Sequence, residues 1–181
     1  MHRIKLLIVL TFVAAVDVVA DVSSLGPVIE KYGPTYAIEW RDVELPKSIR
    51  YKLVFDVAAD SQASEVNRHL VSVARYLNMH ARNGVPVARM DLAVVVHGRA
   101  VRNLLHNDAH QSRELVDNPN LELIRSLQGA GVRFYVCGQS MAFTGIAKED
   151  LVDGIEVALS AMTMLTLLQS DGFALLPWGA S

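Results

Sequence analysis

The stretch Gly131-Val132-Arg133-Phe134-Tyr135-Val136-Cys137-Gly138-Gln139-Ser140-Met141 decides how the chain is read, because it carries the only cysteine among 181 residues. Gly129 and Gly131 end a helical pattern, Val132 to Val136 is rich in β-branched and aromatic residues, and Gly138 breaks the run directly after the sulfur. The pattern predicts a strand that delivers Cys137 to a turn. In open α/β sheets ligands bind outside the carboxyl ends of the strands, where following helices aim their N-terminal N–H groups. The same partial positive charge lowers a thiol pKa. Cys137 is therefore a candidate reactive thiol, with a buried cysteine acting as a small apolar residue as the alternative.

Working outward, Tyr51 to Val57 and Met90 to Val96 read as strands, the second apolar throughout except for Asp91 and so buried on both faces. Between them Val66, Leu70, Val73, Ala74, Leu77 and Ala81 recur at helical spacing from Glu65 to Arg82, closed by Asn83-Gly84. Ala100, Val101, Leu104 and Leu105 start a short helix that fades into a polar segment, His106 to Asp117. Asn118-Pro119 predicts a helix start, with Asn as cap and Pro at the first helical position. Beyond the cysteine strand the pattern predicts a turn through Met141 to Gly154, a strand over Ile155 to Ala158, a helix over Ser160 to Gln169 and a last strand over Phe173 to Pro177. Strand and helix alternate, which predicts an α/β fold with a mostly parallel sheet of about five strands, covered on both faces. Val57-Ala58, His97-Gly98 and Cys137-Gly138 then end at one edge, making His97 a second candidate; a structural hydrogen-bonding histidine is its alternative.

The amino terminus differs in kind. Met1-His2-Arg3-Ile4-Lys5 is basic, Leu6 to Val16 is almost wholly apolar, and Val18-Val19-Ala20 offers modest residues for a cut, as in a secretory signal peptide. Asp17 and Asp21 interrupt the run too early for a membrane anchor, which needs about 20 apolar residues. The expectation is a signal over 1–20, cleavage near Ala20, and a periplasmic or secreted body with no stable membrane span. Residues 21–48 carry Gly26-Pro27, Gly33-Pro34 and Pro46 with Tyr32, Tyr36 and Trp40, and show neither period. They predict an extended arm that docks through its aromatic residues.

A net charge of −2 and a pI near 6.3 disfavour nucleic acid as a partner. Gly138-Gln139-Ser140-Met141-Ala142 falls one residue short of a nucleophile elbow, and all six histidines lie at or before His110, whereas that hydrolase fold needs its histidine after the serine. His106 and His110 have the i, i+4 spacing of a helical metal pair, set in a segment polar enough to be simply a solvated surface. Neither a P-loop nor a dinucleotide fingerprint is present, so no cofactor is expected. Met162, Met164, Leu165, Leu167 and Leu168 read as core or as a contact between subunits.

Taken together, Lys52 to Val57, Val94-Val95-Val96-His97-Gly98, Gly131 through Ser140, Gly145-Ile146 and Gly172 to Pro177 resemble the DsrE/DsrF-like family of sulfur-relay proteins. The likeness covers about residues 49–178. It implies a three-layer sandwich, assembly as a homo-oligomer (trimer or hexamer), and a strand-end cysteine that carries sulfane sulfur as a persulfide, the position occupied by Cys137. Sulfur donors and acceptors, proteins or small sulfur compounds, are the implied partners. Gly98, Gly138, Gln139 and Ser140 are the candidate binding residues around that sulfur, and His97 a second catalytic candidate. The apparent export signal and the arm depart from cytoplasmic relay members. A non-catalytic oligomeric module of the same fold, binding a small ligand or serving assembly, is the alternative function.

Overall fold

The computed structural model describes residues 23–176, so the expected signal peptide lies outside the described residues. Five strands form one sheet: β1 (Tyr51–Val57), β2 (Met90–Val96), β3 (Arg133–Cys137), β4 (Ile155–Ala158) and β5 (Ala174–Leu176), in the order β4-β3-β2-β1-β5. Every pairing is parallel, so the sheet is wholly parallel where the sequence predicted it mostly so. Five α-helices connect and cover it: α1 (Arg68–Arg82), α2 (Asn107–Glu114), α3 (Leu121–Gly129), α4 (Gly138–Thr144) and α5 (Ala161–Ser170).

The two faces of the sheet are covered unequally. On one face Phe55, Val57, Leu92, Val94, Val96, Phe134 and Val136 pack against the apolar stripes of α1 and α3 and the 3₁₀ turn Gly98–Leu104. This is the main core. The other face carries Val54, Ala93, Val95, Tyr135 and Cys137, and α5 alone lies across it, within reach of all five strands. Strand alternation explains the division, since residues of opposite parity point to opposite faces. The result is a three-layer sandwich with a thin third layer.

The structure corrects four local expectations. The 141–154 turn contains the carboxyl part of α4, which begins at Gly138, directly after the cysteine. The polar segment after Leu105 contains α2, capped by the His106 imidazole, which accepts from the Ala109 N–H at 3.2 Å. Its His110 is buried and pairs through Nδ1 with the Val116 carbonyl at 2.8 Å, so this segment is not a wholly solvated surface. The third helix begins two residues later than expected: Asn120 holds the cap position without a side-chain cap bond, and Asn118 accepts the Asn120 N–H on its Oδ1 at 2.9 Å from the turn before it. The Asn118 amide also donates to the carbonyls of Asn103 and Leu105 at 2.9 and 2.6 Å, and Pro119 falls in the turn before the helix.

The arm has no regular element and is held by α1. Asn78, fully buried on that helix, accepts from the Val28 and Ile29 N–H groups and donates to the carbonyls of Ile29, Tyr32 and Gly33. Ile29 joins the main core. Gly33, at φ +69, lies so close to α1 that a Cβ would fall 2.2 Å from the Arg75 nitrogen.

Candidate functional site

Cys137 is both the last residue of β3 and the residue from which α4 departs. Its register partner is Ala158, the last residue of β4. The chain then turns at Leu159 into α5, whose cap Ser160 accepts from the Thr163 N–H at 3.0 Å. Two helix beginnings thus converge on one sulfur. Glycine is required next to it, because a Cβ on Gly138 would stand 2.8 Å from the Ala158 carbonyl oxygen. This steric fact, and not backbone freedom, explains the Cys-Gly pair.

The sulfur sits deeper than a loop position suggests: Cys137 is only 5% exposed, among Val95, Tyr135, Ala161 and the other residues of the α5 face. Burial alone pushes a thiol pKa up. Here burial is outweighed by the Ser140 hydroxyl and by the N–H groups of Ser140, Ala161 and Gln139, which together hold the thiol below its ordinary value of 9.0. The Cys137 side chain makes no capping hydrogen bond to α4. Sulfur is a weak acceptor until ionised, so these donors favour the thiolate specifically.

His97 follows β2, the neighbour of β3, and Val96 pairs with Val136, so His97 and Cys137 leave the sheet side by side. Alternation places both on the α5 face, together with Asp56 of β1. The His97 Nε2 makes a 2.8 Å hydrogen bond to Asp56 Oδ1, a partner that sequence reasoning missed because it required the strand order. Gly98, at φ +58, donates its N–H to Ser140 Oγ at 2.9 Å, joining the loop after β2 to the first turn of α4. Gln139 is exposed and reaches the Leu159 carbonyl at 3.4 Å. All six candidates, Cys137, His97, Gly98, Gly138, Gln139 and Ser140, therefore lie at one end of adjacent strands. Asp56 and the Ala161 N–H complete the surroundings.

Elsewhere, a cavity of about 550 Å³ is lined by His106, Asp108, Arg125, Gln128, Glu149 and Asp153, with neither Cys137 nor His97 in its wall. His106 and His110 both have backbone partners, and among the described residues no three metal-ligating side chains come together. No helix among the described residues is long and apolar enough to cross a membrane.

A wholly parallel five-stranded sheet whose β3, second from one edge, hands a cysteine to a helix start defines an α/β protein of the DsrE-like class. The sequence model of the DsrE/DsrF-like family matches residues 52–178, and the chain belongs to that family, which is of sulfur-relay type. Among solved structures it is similar to a protein of unknown function from Methanobacterium thermoautotrophicum, MTH1491, at 22% identity and a TM-score of 0.54, over 70% of this chain and 97% of that one. It is also similar to the ychN protein from E. coli, at 19% identity and a TM-score of 0.51, over 69% and 97% of the two chains. These two likenesses concern the fold. No curated protein matches the sequence.

Proposed function

We propose that the protein is a sulfur carrier that holds sulfane sulfur as a persulfide on Cys137. The observation that carries this reading is the place of Cys137, the last residue of β3 and the start of α4, beside the beginning of α5 and next to His97 at the carboxyl edge of the sheet, where its thiol is held below its ordinary value. Membership of a sulfur-relay-type family supports it. In the first step the Cys137 thiolate attacks the outer sulfur of a donor persulfide or polysulfide; the new S–S bond forms as the donor's S–S bond breaks, and the donor thiolate leaves with the electron pair. In the second, an acceptor thiolate attacks the outer sulfur and Cys137 departs as thiolate. Sulfane sulfur moves without net oxidation or reduction. His97, held by Asp56, is the group on this face suited to take the acceptor thiol's proton.

Incubation with polysulfide followed by intact mass measurement tests the proposal. The expected result is an increment of sulfur atoms on the wild-type chain that a thiol reductant removes and that Cys137→Ser lacks. A wild-type chain that stays unmodified, while a control thiol is labelled, overturns it. Expressing the full sequence for this measurement also tests export, which the basic-apolar start at 1–20 supports: the proposed periplasmic or secreted body would lack the residues up to about Ala20.

A second reading, an oligomeric module without turnover, is favoured by a different observation. Phe143, Leu159 and Met162 are 92, 72 and 78% exposed in the single chain, and such surface commonly meets a partner. Both readings include a homo-oligomer. They differ in whether Cys137 exchanges sulfur.

A further inference from the structure

We infer that Asp56 is a positioning residue: its carboxylate holds His97 as the Nε2–H tautomer, leaving Nδ1 to take a proton from acceptors that arrive as un-ionised alkyl thiols. The inference rests on the carrier reading of Cys137 and adds which nitrogen is the base, what fixes it and which acceptor needs it.

A carboxylate is out of place on this strand. Asp is depleted in strands, and β1 otherwise presents Val54 to the α5 face and Phe55 and Val57 to the main core, all three buried. Asp60, Asp91, Glu122 and Asp171 each pair with a lysine or an arginine. Among the described residues Asp56 pairs with neither and bonds His97 Nε2, at 2.8 Å. A residue that breaks its strand's pattern for one specific partner is expected at a functional site. An ionised carboxylate only accepts, so Nε2 must carry the proton of this bond, and in the neutral ring Nδ1 is then the lone-pair nitrogen. In His80 and His110 that atom is taken up by a backbone carbonyl. In His97 it has no hydrogen-bond partner among the described residues, and the side chain is 30% exposed, so a thiol can reach it.

The backbone that carries the ring is fixed as well. The His97 N–H continues the ladder to the Val57 carbonyl at 3.0 Å, and the next N–H, of Gly98, bonds Ser140 Oγ on α4 at 2.9 Å. Since Val96 pairs with Val136, His97 follows β2 at the level where Cys137 ends β3. Tyr135 and Glu156 share the α5 face one level further in, the Tyr135 hydroxyl accepting from Arg133, and α4 and α5 carry no titratable side chain. Among these groups His97 alone stands level with the sulfur. In the second transfer the acceptor's S–H proton passes to Nδ1, giving an imidazolium whose other N–H stays on Asp56. The acceptor thiolate bonds the outer sulfur as the persulfide S–S bond breaks, and the electron pair leaves on Cys137. An acceptor that is already ionised has no proton to give and gains nothing from the pair.

The test loads the full chain with polysulfide, verifies the added sulfur by intact mass, and times its transfer at neutral pH to two acceptors: mercaptoethanol, which is mostly protonated there, and thionitrobenzoate, which is already ionised. With mercaptoethanol, Asp56→Asn and His97→Gln are each expected to slow transfer by about 100-fold, the low end of what a positioned base contributes. The double variant is expected to lose no more than either single one, because the two residues act as a unit. With thionitrobenzoate the slowing is expected to vanish. Nitrogen NMR of the imidazoles, assigned through His97→Gln, is expected to show the Nε2–H tautomer for His97 in wild type and its loss in Asp56→Asn. Equal slowing with both acceptors, additive losses in the double variant, or a wild-type ring protonated at Nδ1 alone overturns the inference. A wild-type chain that takes up no sulfur sinks the carrier reading, with the ring tautomer still read by NMR. A chain that loads, and transfers to mercaptoethanol equally fast with or without Asp56, sinks this inference alone.

Discussion

Cys137 is under two opposing influences: burial on the α5 face disfavours charge, and the Ser140 hydroxyl with three N–H groups favours it more strongly. Because the folded thiol titrates below its ordinary value of 9.0, the folded chain binds fewer protons than the unfolded one between those two points. The ionised sulfur thus contributes stability that is present in full above 9.0 and is lost as the pH falls through the folded pKa. Cys137→Ser removes this dependence. Urea unfolding under reducing conditions is expected to give a wild-type advantage over the serine variant that widens toward alkaline pH; two stability curves parallel across that window would contradict the assigned sign.

At the scale of elements, α1 does two jobs, burying Leu70, Val73, Ala74 and Leu77 in the core and gripping the arm through Asn78. Asn78→Ala deletes five hydrogen bonds at a fully buried position, leaving the Val28 and Ile29 N–H groups without their acceptor. A cost of about 3 kcal/mol is expected, since each buried group left unpaired costs roughly 1–3 kcal/mol. Limited proteolysis is expected to cut the arm within 23–48 before the body; a variant as resistant as wild type would show that the apolar contacts of Ile29 suffice. Elements with a clear period were the legible ones: β1, β2 and β4 fall where alternation and apolar runs put them. Less legible was α2, because Asn107–Glu114 has no apolar stripe and takes its cap from an imidazole. The short α4 hid behind Gly138, whose role is steric. At the site, the strand-end position of Cys137 was readable. Asp56 beside His97, Gly98 on Ser140 and the Ala161 N–H were not, because each depends on strand order or on a crossover connection.

For the whole molecule, the unequal layers matter most. One face of the sheet has two helices, α1 and α3, and a 3₁₀ turn, whereas the other has only α5, whose ten residues include no charged side chain. An apolar helix with Met162 and Leu167 turned outward is unusual on a surface that faces only water. Leu159 and Met162 stand at its start, and Gln139 bonds to the Leu159 carbonyl from α4, one helical turn before Phe143. These residues therefore gather around the end of the sheet where Cys137 lies. If this surface joins copies of the chain, a charge introduced there must be buried unpaired and is resisted. Light scattering is expected to find an oligomer for wild type and a monomer for Leu159→Glu combined with Met162→Glu. Asn78 lies on α1, on the opposite face of the sheet, so the monomer should keep its arm protected from protease. A wild-type monomer at tens of micromolar would remove assembly from both functional readings, and an oligomer indifferent to the two glutamates would move the interface elsewhere. An oligomer that dissolves into monomers while Cys137 still takes up sulfur would separate assembly from chemistry, leaving the thiol's control wholly within one chain.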